Sequence, residues 1–575
     1  MENRRFFLIC VVGVILFFIY QAWKEDHAEP SSIITEQTPQ TDASDVVAPP
    51  AQSGDVPSIE GPADSTPTVK PAGNARVRID TDVYRGEISL AGGDLHRLEL
   101  KAYAAVKQRE DIPVSLLDDR GDRLFVVQSG LLGQGEALVS QYTDYQASQT
   151  EYALSKGQDQ VDVSLEASPA PGVTVTKTYH FQRGSYEIGL SQKVVNTGTQ
   201  ALQLSPYVQL HRTEFKLGEE PPFVRTFSGY GIYEQKAGSN DYRFRKTAMK
   251  DIAEEPIELK QTGGWLAMMQ HYFLTAVIPP EKEELRFIAR PSKTRGYLGQ
   301  YIGAYHVVPA GGEQVFESKL YAGPTLQHGL ASSDDADAGF FALDGLENVA
   351  PGLELTVDYG LLTPISEPLF WILQKFHALT GNWGIAIILL TLLVKGAMFK
   401  LSEAQYRSMA KMRKFAPKIQ DIKERYGDDR ERQQKAMMDL YKKEGFNPLG
   451  GCWPMLVQFP VFISLYWVLL QSVELRQADF MLWINDLSAK DPYYVLPVLF
   501  GISMWAQQKL SGNAMTMDPM QKRIMSAMPI AMGAFFTLFP AGLVLYWFFS
   551  NLVSITQQWL INRKLDKEGL GKASN

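Results

Sequence analysis

Apolar stretches that reach or approach the length of a membrane span recur along the C-terminal part of the chain. They lie at residues 383–399, 449–470, 493–506, 524–539 and 541–561, with polar segments between them. Because a helix needs about 20 apolar residues to cross the hydrocarbon core, this pattern predicts a bundle of transmembrane helices. Proline interrupts some of the stretches, and neighbouring helices can satisfy the backbone groups that it frees.

One more apolar run lies near the N-terminus, at residues 6–20. Arg4 and Arg5 precede it, as in a signal peptide, but no site of the small-x-small type follows directly for cleavage. The sequence therefore favours an uncleaved anchor over a removed signal peptide. The basic residues before the run predict a cytoplasmic N-terminus.

The region between these apolar parts has two patterns. Residues 24–76 contain eight prolines and no aromatic residue, which predicts a disordered tether. From residue 77 to residue 362, short alternating runs are separated by turn residues. Alternating runs on either side of Gly184 have the signature of a β-hairpin. So long a series of strands and turns predicts a large antiparallel β-sandwich.

Charge is segregated along the chain. Residues 24–365 carry a net charge of −17, whereas residues 366–575 carry +8. This asymmetry excludes one homogeneous globule. It also argues against a nucleic-acid binder, whose basic surface would have to coexist with the acidic bulk.

The same charges predict the orientation of the spans. Basic residues outnumber acidic ones in the segments 401–446, 509–522 and 562–575, so these segments are expected in the cytoplasm. The acidic sandwich and the segment 471–492 then lie on the other side, which is the periplasm in a Gram-negative cell. The predicted units are an anchor (1–23), a tether (24–76), a periplasmic sandwich (77–362), an interfacial helix (363–380), transmembrane helices 381–400, 447–470, 493–508, 523–539 and 540–561, a cytoplasmic hairpin (401–446), a periplasmic loop (471–492), a cytoplasmic loop (509–522) and a cytoplasmic tail (562–575).

Two amphipathic segments flank the first of the C-terminal spans. The helix at 363–380 is too short to cross a bilayer and is expected in the membrane interface, with packing on a soluble domain as the alternative. The segment 401–446 reads as a helical hairpin with a methionine-rich seam, and Pro417 is expected to kink its first helix. Its basic surface suits lipid headgroups or ribosomal RNA, although the seam alone could serve to close the hairpin.

Motifs for covalent or metal chemistry are scarce. The chain has no GxxxxGK[ST] motif and no CxxC motif, and its two cysteines, Cys10 and Cys452, both lie in apolar runs. The eight histidines are scattered without ligands at metal spacing. The string Ser408-Met409-Ala410-Lys411 matches the S-x-x-K of acyl-enzymes, but it sits on a charged cytoplasmic helix and is interpreted as a solvated face. We therefore expect no enzyme, cofactor or metal.

Lys395 is the most informative single residue. It is the one charged side chain within the six apolar stretches 6–20, 383–399, 449–470, 493–506, 524–539 and 541–561. A charge inside a span costs about 2.5–3.5 kcal/mol and usually serves a function. Snorkelling to the nearby cytoplasmic surface is the alternative. Thr391 lies one turn earlier on the same helix face, and Gln458 lies in the next span. Ser550, Asn551 and Thr556 add further polar groups in the last span.

Several long strings in the C-terminal half resemble one family in the same order. They are Gly381-Asn382-Trp383-Gly384, Ala404-Gln405-Tyr406, Asn447 to Cys452, Ser472 to Ala478, Asp491-Pro492-Tyr493-Tyr494, Asp518 to Gln521 and Gly542 to Tyr546. On these residues the chain resembles the YidC family of membrane protein insertases of Gram-negative bacteria. The N-terminal anchor, the tether and the large periplasmic region also look like that family.

The resemblance implies the fold class and the site. The fold is a polytopic α-helical membrane protein with six transmembrane helices, five of which form the insertase core, and a large periplasmic antiparallel β-supersandwich similar to sugar mutarotases. A hydrophilic groove would carry its positive charge on Lys395, where most Gram-negative members have arginine. The resemblance implies further groove residues at Thr391, Tyr546 and Trp547, to which the sequence adds the polar Gln458. It implies the apolar slide for the substrate at Phe459, Pro460, Phe462, Phe500 and Phe535. Lipid-facing packing is the alternative role for the slide residues.

The resemblance also implies the partners and the function. The chain would insert and help to fold nascent inner-membrane proteins, alone or with the Sec translocon, as a monomer among membrane lipids and with weak ribosome contact through its cytoplasmic loops. Two other classes of protein are alternatives on the residues alone. An intramembrane Ser–Lys hydrolase would need a nucleophilic serine beside Lys395, and none stands out. A solute transporter would predict inverted repeats and midplane ion ligands, and neither is evident.

Overall fold

The computed structural model describes residues 75–567, except 108, 135, 216–226, 237, 327–345, 358, 415, 428, 444–452 and 512–518. The predicted anchor, nearly all of the tether, the start of the third span, part of the cytoplasmic loop and the end of the tail lie outside the described residues. The described residues form an N-terminal β-domain, residues 75–326, and a helical region, residues 346–567.

Twenty-one strands build the β-domain in the described residues. They are β1 Arg76–Asp80, β2 Tyr84–Ser89, β3 Asp94–Val106, β4 Arg109–Leu117, β5 Phe125–Leu132, β6 Ala137–Val139, β7 Gln146–Ala147, β8 Glu151–Ala153, β9 Gln160–Ala170, β10 Val173–Gln182, β11 Glu187–Asn196, β12 Leu202–Arg212, β13 Gly229–Gln235, β14 Tyr242–Ala248, β15 Ile257–Thr262, β16 Trp265–Met269, β17 Phe273–Ile278, β18 Glu284–Pro291, β19 Tyr297–Ile302, β20 His306–Val308 and β21 Gly312–Pro324.

The strands form two sheets. The first sheet runs β15-β18-β19-β12-β5-β3-β2-β1-β8, with β20, β4 and β6 paired beside it, and the second runs β14-β13-β16-β17-β21-β11-β10-β9-β7. Neighbours pair antiparallel except β1 and β8, which are parallel. One core of buried apolar side chains contains residues from both sheets. The predicted antiparallel sandwich is therefore confirmed.

The hairpin predicted around Gly184 joins β10 and β11. Phe181 pairs with Ile188, and burial alternates residue by residue along both strands. Gly184 adopts a φ of 68°, which a residue without a Cβ reaches at no steric cost. Period-two patterning and one turn glycine thus account for this part of the sheet.

Eleven α-helices occur in the described residues, mostly after the β-domain. They are α1 Met249–Glu254, α2 Leu346–Val349, α3 Thr363–Thr380, α4 Trp383–Ala397, α5 Phe399–Lys414, α6 Ala416–Tyr426, α7 Arg430–Lys443, α8 Trp453–Gln471, α9 Val495–Ser511, α10 Pro519–Phe536 and α11 Ala541–Lys567. Residue 415 lies outside the described residues, with α5 ending at Lys414 and α6 beginning at Ala416 on either side of it. The kink expected at Pro417 stays a prediction.

The lengths and hydropathy of the described helices bear on the predicted spans. In the described part of the chain, no single helix is both long and apolar enough to cross a membrane by itself. Helix α4 and the first part of α5, up to Ser408, meet at 60° and reach the required length and hydropathy only as a pair. The apolar side chains of α3, α4, α8, α9, α10 and α11 share one buried cluster.

Asn382 fixes the corner between α3 and α4. Gly381, whose φ is 65°, is the C-cap of α3, and Asn382 is the N-cap of α4. The Asn382 Oδ1 accepts a hydrogen bond from the Ile385 amide at 3.0 Å. Its Nδ2 donates to the carbonyl of Phe480 at 2.8 Å, so one side chain caps a helix and ties it to the loop after α8.

Replacing Asn382 with alanine should lower the stability of the protein by about 1–2 kcal/mol, because a helix cap is lost. Thermal unfolding of the purified full-length protein in detergent would measure the change. Asn382→Ser is the matched control, since its hydroxyl oxygen keeps the cap but the amide donor to Phe480 is lost. Its melting temperature should lie between those of the wild type and Asn382→Ala. An alanine variant as stable as the wild type would show that the cap contributes nothing.

Candidate functional site

Lys395 lies in the last turn of α4 and points into the helical region. Only 7% of the residue is exposed. Its Nζ donates to the Ser554 Oγ at 2.9 Å and to the Gln458 Oε1 at 3.3 Å. These acceptors belong to α11 and α8, so the ammonium group joins three helices.

Helix α11 supplies most of the polar groups that hold this position. The Ser554 Oγ donates to the Ser550 carbonyl one turn earlier at 2.8 Å, which leaves its lone pairs for Lys395. The Gln557 Nε2 donates to the carbonyl of Lys395 at 3.0 Å. From α5, the Tyr406 hydroxyl donates to the Ser554 carbonyl at 3.3 Å, so the bend between α4 and α5 is packed against the same helix.

The partners of the ammonium group are neutral. Among the described residues, no carboxylate forms an ion pair with Lys395. An opposite charge that approaches a buried ammonium group solvated only by neutral acceptors would offset part of its loss of hydration. The site is therefore electropositive, and no negative charge among the described residues balances the ammonium group.

The other predicted groove residues lie around this centre. Thr391 is 1% exposed, and its hydroxyl donates to the Ile387 carbonyl of its own helix at 2.7 Å. The Tyr546 hydroxyl lies beside the side chains of Gln458 and Ser550. Gln458 thus stands between the ammonium of Lys395 and the phenol of Tyr546.

Trp547 belongs to an aromatic cluster next to the polar centre. Its ring centroid is 4.7 Å from that of Phe462, 5.9 Å from that of Phe500 and 5.5 Å from that of Phe536. In the residues that the structure describes, its indole Nε1 is buried without a hydrogen-bond partner.

The predicted slide residues occupy different environments. Phe459 and Phe535 are 36% and 43% exposed, whereas Phe500 is 2% exposed and packs inward against Phe536. Phe462 is partly buried, and Pro460 interrupts the hydrogen-bond ladder of α8. Of the predicted slide residues, only Phe459 and Phe535 therefore present a large apolar surface to the outside of the protein, whereas Phe500 does not.

Sequence reasoning missed Ser554, Gln557 and Ser503. The signal for Ser554 was helical spacing, because it lies four residues after Ser550 and so shares its face. Ser503 accepts from the Asn551 Nδ2 at 3.0 Å across α9 and α11, a pairing that no spacing within one helix reveals. Thr556, by contrast, is exposed, and its hydroxyl donates within its own helix.

Ser554 beside Lys395 is the pair that a Ser–Lys hydrolase would require. The Ser554 hydroxyl donates a hydrogen bond to the Ser550 carbonyl and accepts one from Lys395. In a Ser–Lys dyad the hydroxyl would instead donate to the lysine amine, which acts as the base. Ser554 also lies inside a helix, where the nearby backbone N–H groups bond within the helix and supply no oxyanion hole. The geometry is that of a buried polar contact and not of a catalytic dyad.

Comparison with known proteins covers nearly the whole chain. Residues 76–372 match the family described as the YidC periplasmic domain, and residues 375–568 match the family described as the 60Kd inner membrane protein. The chain is 44% identical to the membrane protein insertase YidC of Methylococcus capsulatus, over 99% of each chain. It is 43% identical to that of Thioalkalivibrio sulfidiphilus, over 99% of this chain and 100% of the relative.

A solved structure is also similar. It is described as an active YidC insertase crystal structure with the first transmembrane domain resolved. The identity is 18%, the match covers 84% of this chain and 92% of that one, and the TM-score is 0.37.

Proposed function

Because the chain belongs to the YidC family of membrane protein insertases, inner-membrane proteins with a periplasmic domain, we propose that Lys395 is the groove charge through which it inserts its substrates. Its function is insertion and chaperoning and not enzymatic catalysis. The observation that carries the proposal is the buried ammonium group held by Ser554 and Gln458, both neutral. An acidic segment of a substrate supplies the negative charge that offsets this buried ammonium group.

The proposed mechanism is physical. The polar groups around Lys395, including Thr391, Gln458 and Tyr546, shorten the dry path that the extracytoplasmic segment of a substrate must cross. The membrane potential assists transfer of a charge by about 2.3 kcal/mol per 100 mV. Burial of the substrate's apolar helix in lipid, at about 25 cal/mol per Å2, then drives its release.

We propose that the substrate helix leaves along α8 and α10. Phe459 on α8 and Phe535 on α10 offer exposed aromatic surface for this slide. Pro460 and Phe462 continue it on α8. Phe500 and Trp547 form its backing, because Phe500 is buried and both rings pack against Phe536.

The proposed topology has six spans, with both termini and the hairpin 401–446 in the cytoplasm. Support comes from the basic residues of the segments expected inside and from the buried cluster shared by the apolar helices. Helix α3 then lies in the periplasmic interface. The proposed partners are nascent inner-membrane proteins, the Sec translocon, membrane lipids and, weakly, the ribosome at the cytoplasmic loops, with a monomer as the working unit.

Rescue of depleted cells tests this function. Cells that lack their own insertase would express this chain, and protease accessibility of a short two-span substrate would report insertion. We expect the wild-type chain to restore the protected pattern, while an empty plasmid does not. A chain that accumulates in the membrane without restoring insertion would contradict the assignment for that substrate.

A further inference from the structure

The loop between α8 and α9, residues 472–494, is called the junction loop below. It contains every non-glycine residue with a positive φ in the described part of the chain. Three non-glycine residues in the described part of the chain have a positive φ: Gln477 at 57°, Leu482 at 59° and Tyr494 at 57°. All three lie in this junction loop. Such a conformation costs about 1–3 kcal/mol per residue and persists only where the surroundings enforce it, so the cluster points to a function.

One side of the junction loop is hydrogen-bonded to the β-domain at the end of β3. The Arg476 guanidinium donates to the Ala104 carbonyl at 2.7 Å, and the Gln477 Nε2 donates to the same carbonyl at 3.1 Å. In return, the Lys107 Nζ donates to the Gln477 carbonyl at 2.8 Å and lies 3.4 Å from the Asp479 carboxylate. These contacts enforce the strained backbone at Gln477.

The other side holds the corner between α3 and α4. The Phe480 carbonyl accepts from the Asn382 Nδ2, and the Phe480 ring covers Gly384 so closely that a Cβ there would meet it at 2.0 Å. The turn is closed by hydrogen bonds from the Phe480 amide to the Ile484 carbonyl and from the Ile484 amide to the Met481 carbonyl. Ile484 is buried beneath it.

The tip of this closed turn is apolar and exposed. Leu482 is 81% exposed and Met481 is 48% exposed. At a left-handed position in a turn, glycine or asparagine is the least strained choice, and leucine is a strained one. A rigid support that presents a leucine in this way suits an apolar partner outside the protein.

The position of the tip identifies that partner. Leu379, in the last turn of α3, is 80% exposed and lies at the corner that Asn382 ties to the tip. At the start of α9, Tyr493 and Tyr494 are 70% and 52% exposed. Exposed aromatic rings at the ends of apolar helices are typical of a membrane–water interface. All these groups lie at the ends of α4 and α9 that the proposed topology puts on the periplasmic side.

We propose that Met481 and Leu482, together with Leu379 at the corner between α3 and α4, insert into the acyl chains of the periplasmic leaflet of the inner membrane. The inference rests on the proposed topology. The junction loop then has two roles. It holds the β-domain against the helical region through Arg476 and Lys107, and its tip holds this contact region at the membrane.

Spin labels at single cysteines test the proposal in the full-length protein. Cys10 and Cys452 would be replaced by serine, Leu482→Cys would be labelled, and the protein would be reconstituted in vesicles of phosphatidylethanolamine and phosphatidylglycerol. Power saturation with oxygen and with a water-soluble nickel complex then measures lipid and water access. Ile530→Cys on α10, 76% exposed, is the lipid control. Lys156→Cys, in an exposed turn before β9, is the water control.

We expect the label at 482 to resemble the one at 530, with nickel access several-fold lower than at 156. Equal nickel access at 482 and 156, with 530 in lipid, would overturn insertion of the tip and leave the proposed function standing. Water access at 530 as well would overturn the proposed topology and the insertion of the tip with it. A label at Met481→Cys keeps the test decisive if the Leu482 variant fails to fold.

Discussion

Lys395→Glu should abolish insertion of a short substrate that does not use the Sec translocon, whereas Lys395→Arg should preserve most of it. Glutamate reverses the field of the site, repels acidic substrate segments and cannot donate to Gln458. Arginine keeps the charge and adds donors for a carboxylate. Lys395→Met removes the charge at similar volume and should fall between the two.

The measurement is protease accessibility of a two-span substrate in insertase-depleted cells, with each variant's membrane level determined in parallel. Breaking a buried charge contact can cost about 3–5 kcal/mol, so folding must be separated from function. If the variants have equal membrane levels and, once purified, equal melting temperatures, a loss of insertion reflects function and not folding.

Lys400→Glu is the matched control. It makes the same chemical change five residues later, at a side chain that is 92% exposed. We expect it to insert the substrate as the wild type does. If Lys395→Glu were equally active, the ammonium group would have no role in substrate transfer, and the aromatic surfaces of α8 and α10 would remain as the proposed route.

The candidate site was only partly predictable from the sequence. Lys395 and Gln458 were identified because a charge and an amide inside apolar runs are costly unless they meet polar partners. Ser554 was not, because which faces of α4, α8 and α11 meet depends on tertiary packing. The same limit applies to the sandwich, since alternation predicts strands such as β10 and β11, but the pairing of β11 with β21 joins residues more than a hundred positions apart.

The junction loop shows a second limit. Its residues read as a polar connection between two spans, and nothing in the letters around Leu482 indicates a left-handed backbone. Local preference there is overridden by contacts with β3 and with Asn382, both distant in the chain. Strain imposed by tertiary structure is invisible to local patterns, which is why the loop emerged only from the three-dimensional arrangement.

Glu474→Gln should remove a pH dependence from the docking of the junction loop. Val473 belongs to the core of the β-domain and Leu475 to the buried cluster of the helical region, so the turn at residues 473–475 joins the two. Both carboxylate oxygens of Glu474 are buried, without a hydrogen-bond partner among the described residues. The phenols of Tyr103 and Tyr321 face the carboxylate from β3 and β21. Burial raises the pKa of Glu474 from 4.5 to about 7.

The sign follows from proton linkage. With a pKa of about 7 when docked and 4.5 when released, Glu474 holds a proton in the docked state that it loses on release. Docking is therefore most stable below pH 4.5, weakens as the pH rises to about 7 and stays weakened above that, by at most about 3 kcal/mol. Glutamine is neutral throughout, so the variant should dock more stably than the wild type at pH 8 and about equally at pH 4.5.

Hydrogen exchange of the Leu475 and Arg476 amides, which close this turn, reports the docking. After correction for the intrinsic exchange rate, wild-type protection should fall from pH 5 to pH 8, while Glu474→Gln should stay nearly constant. Glu317→Gln, at an exposed position of β21, is the control and should behave as the wild type. Wild-type protection that does not fall between pH 5 and pH 8, together with lower protection in Glu474→Gln at both pH values, would contradict the prediction, because it would mean that an ionised Glu474 stabilises the docked loop.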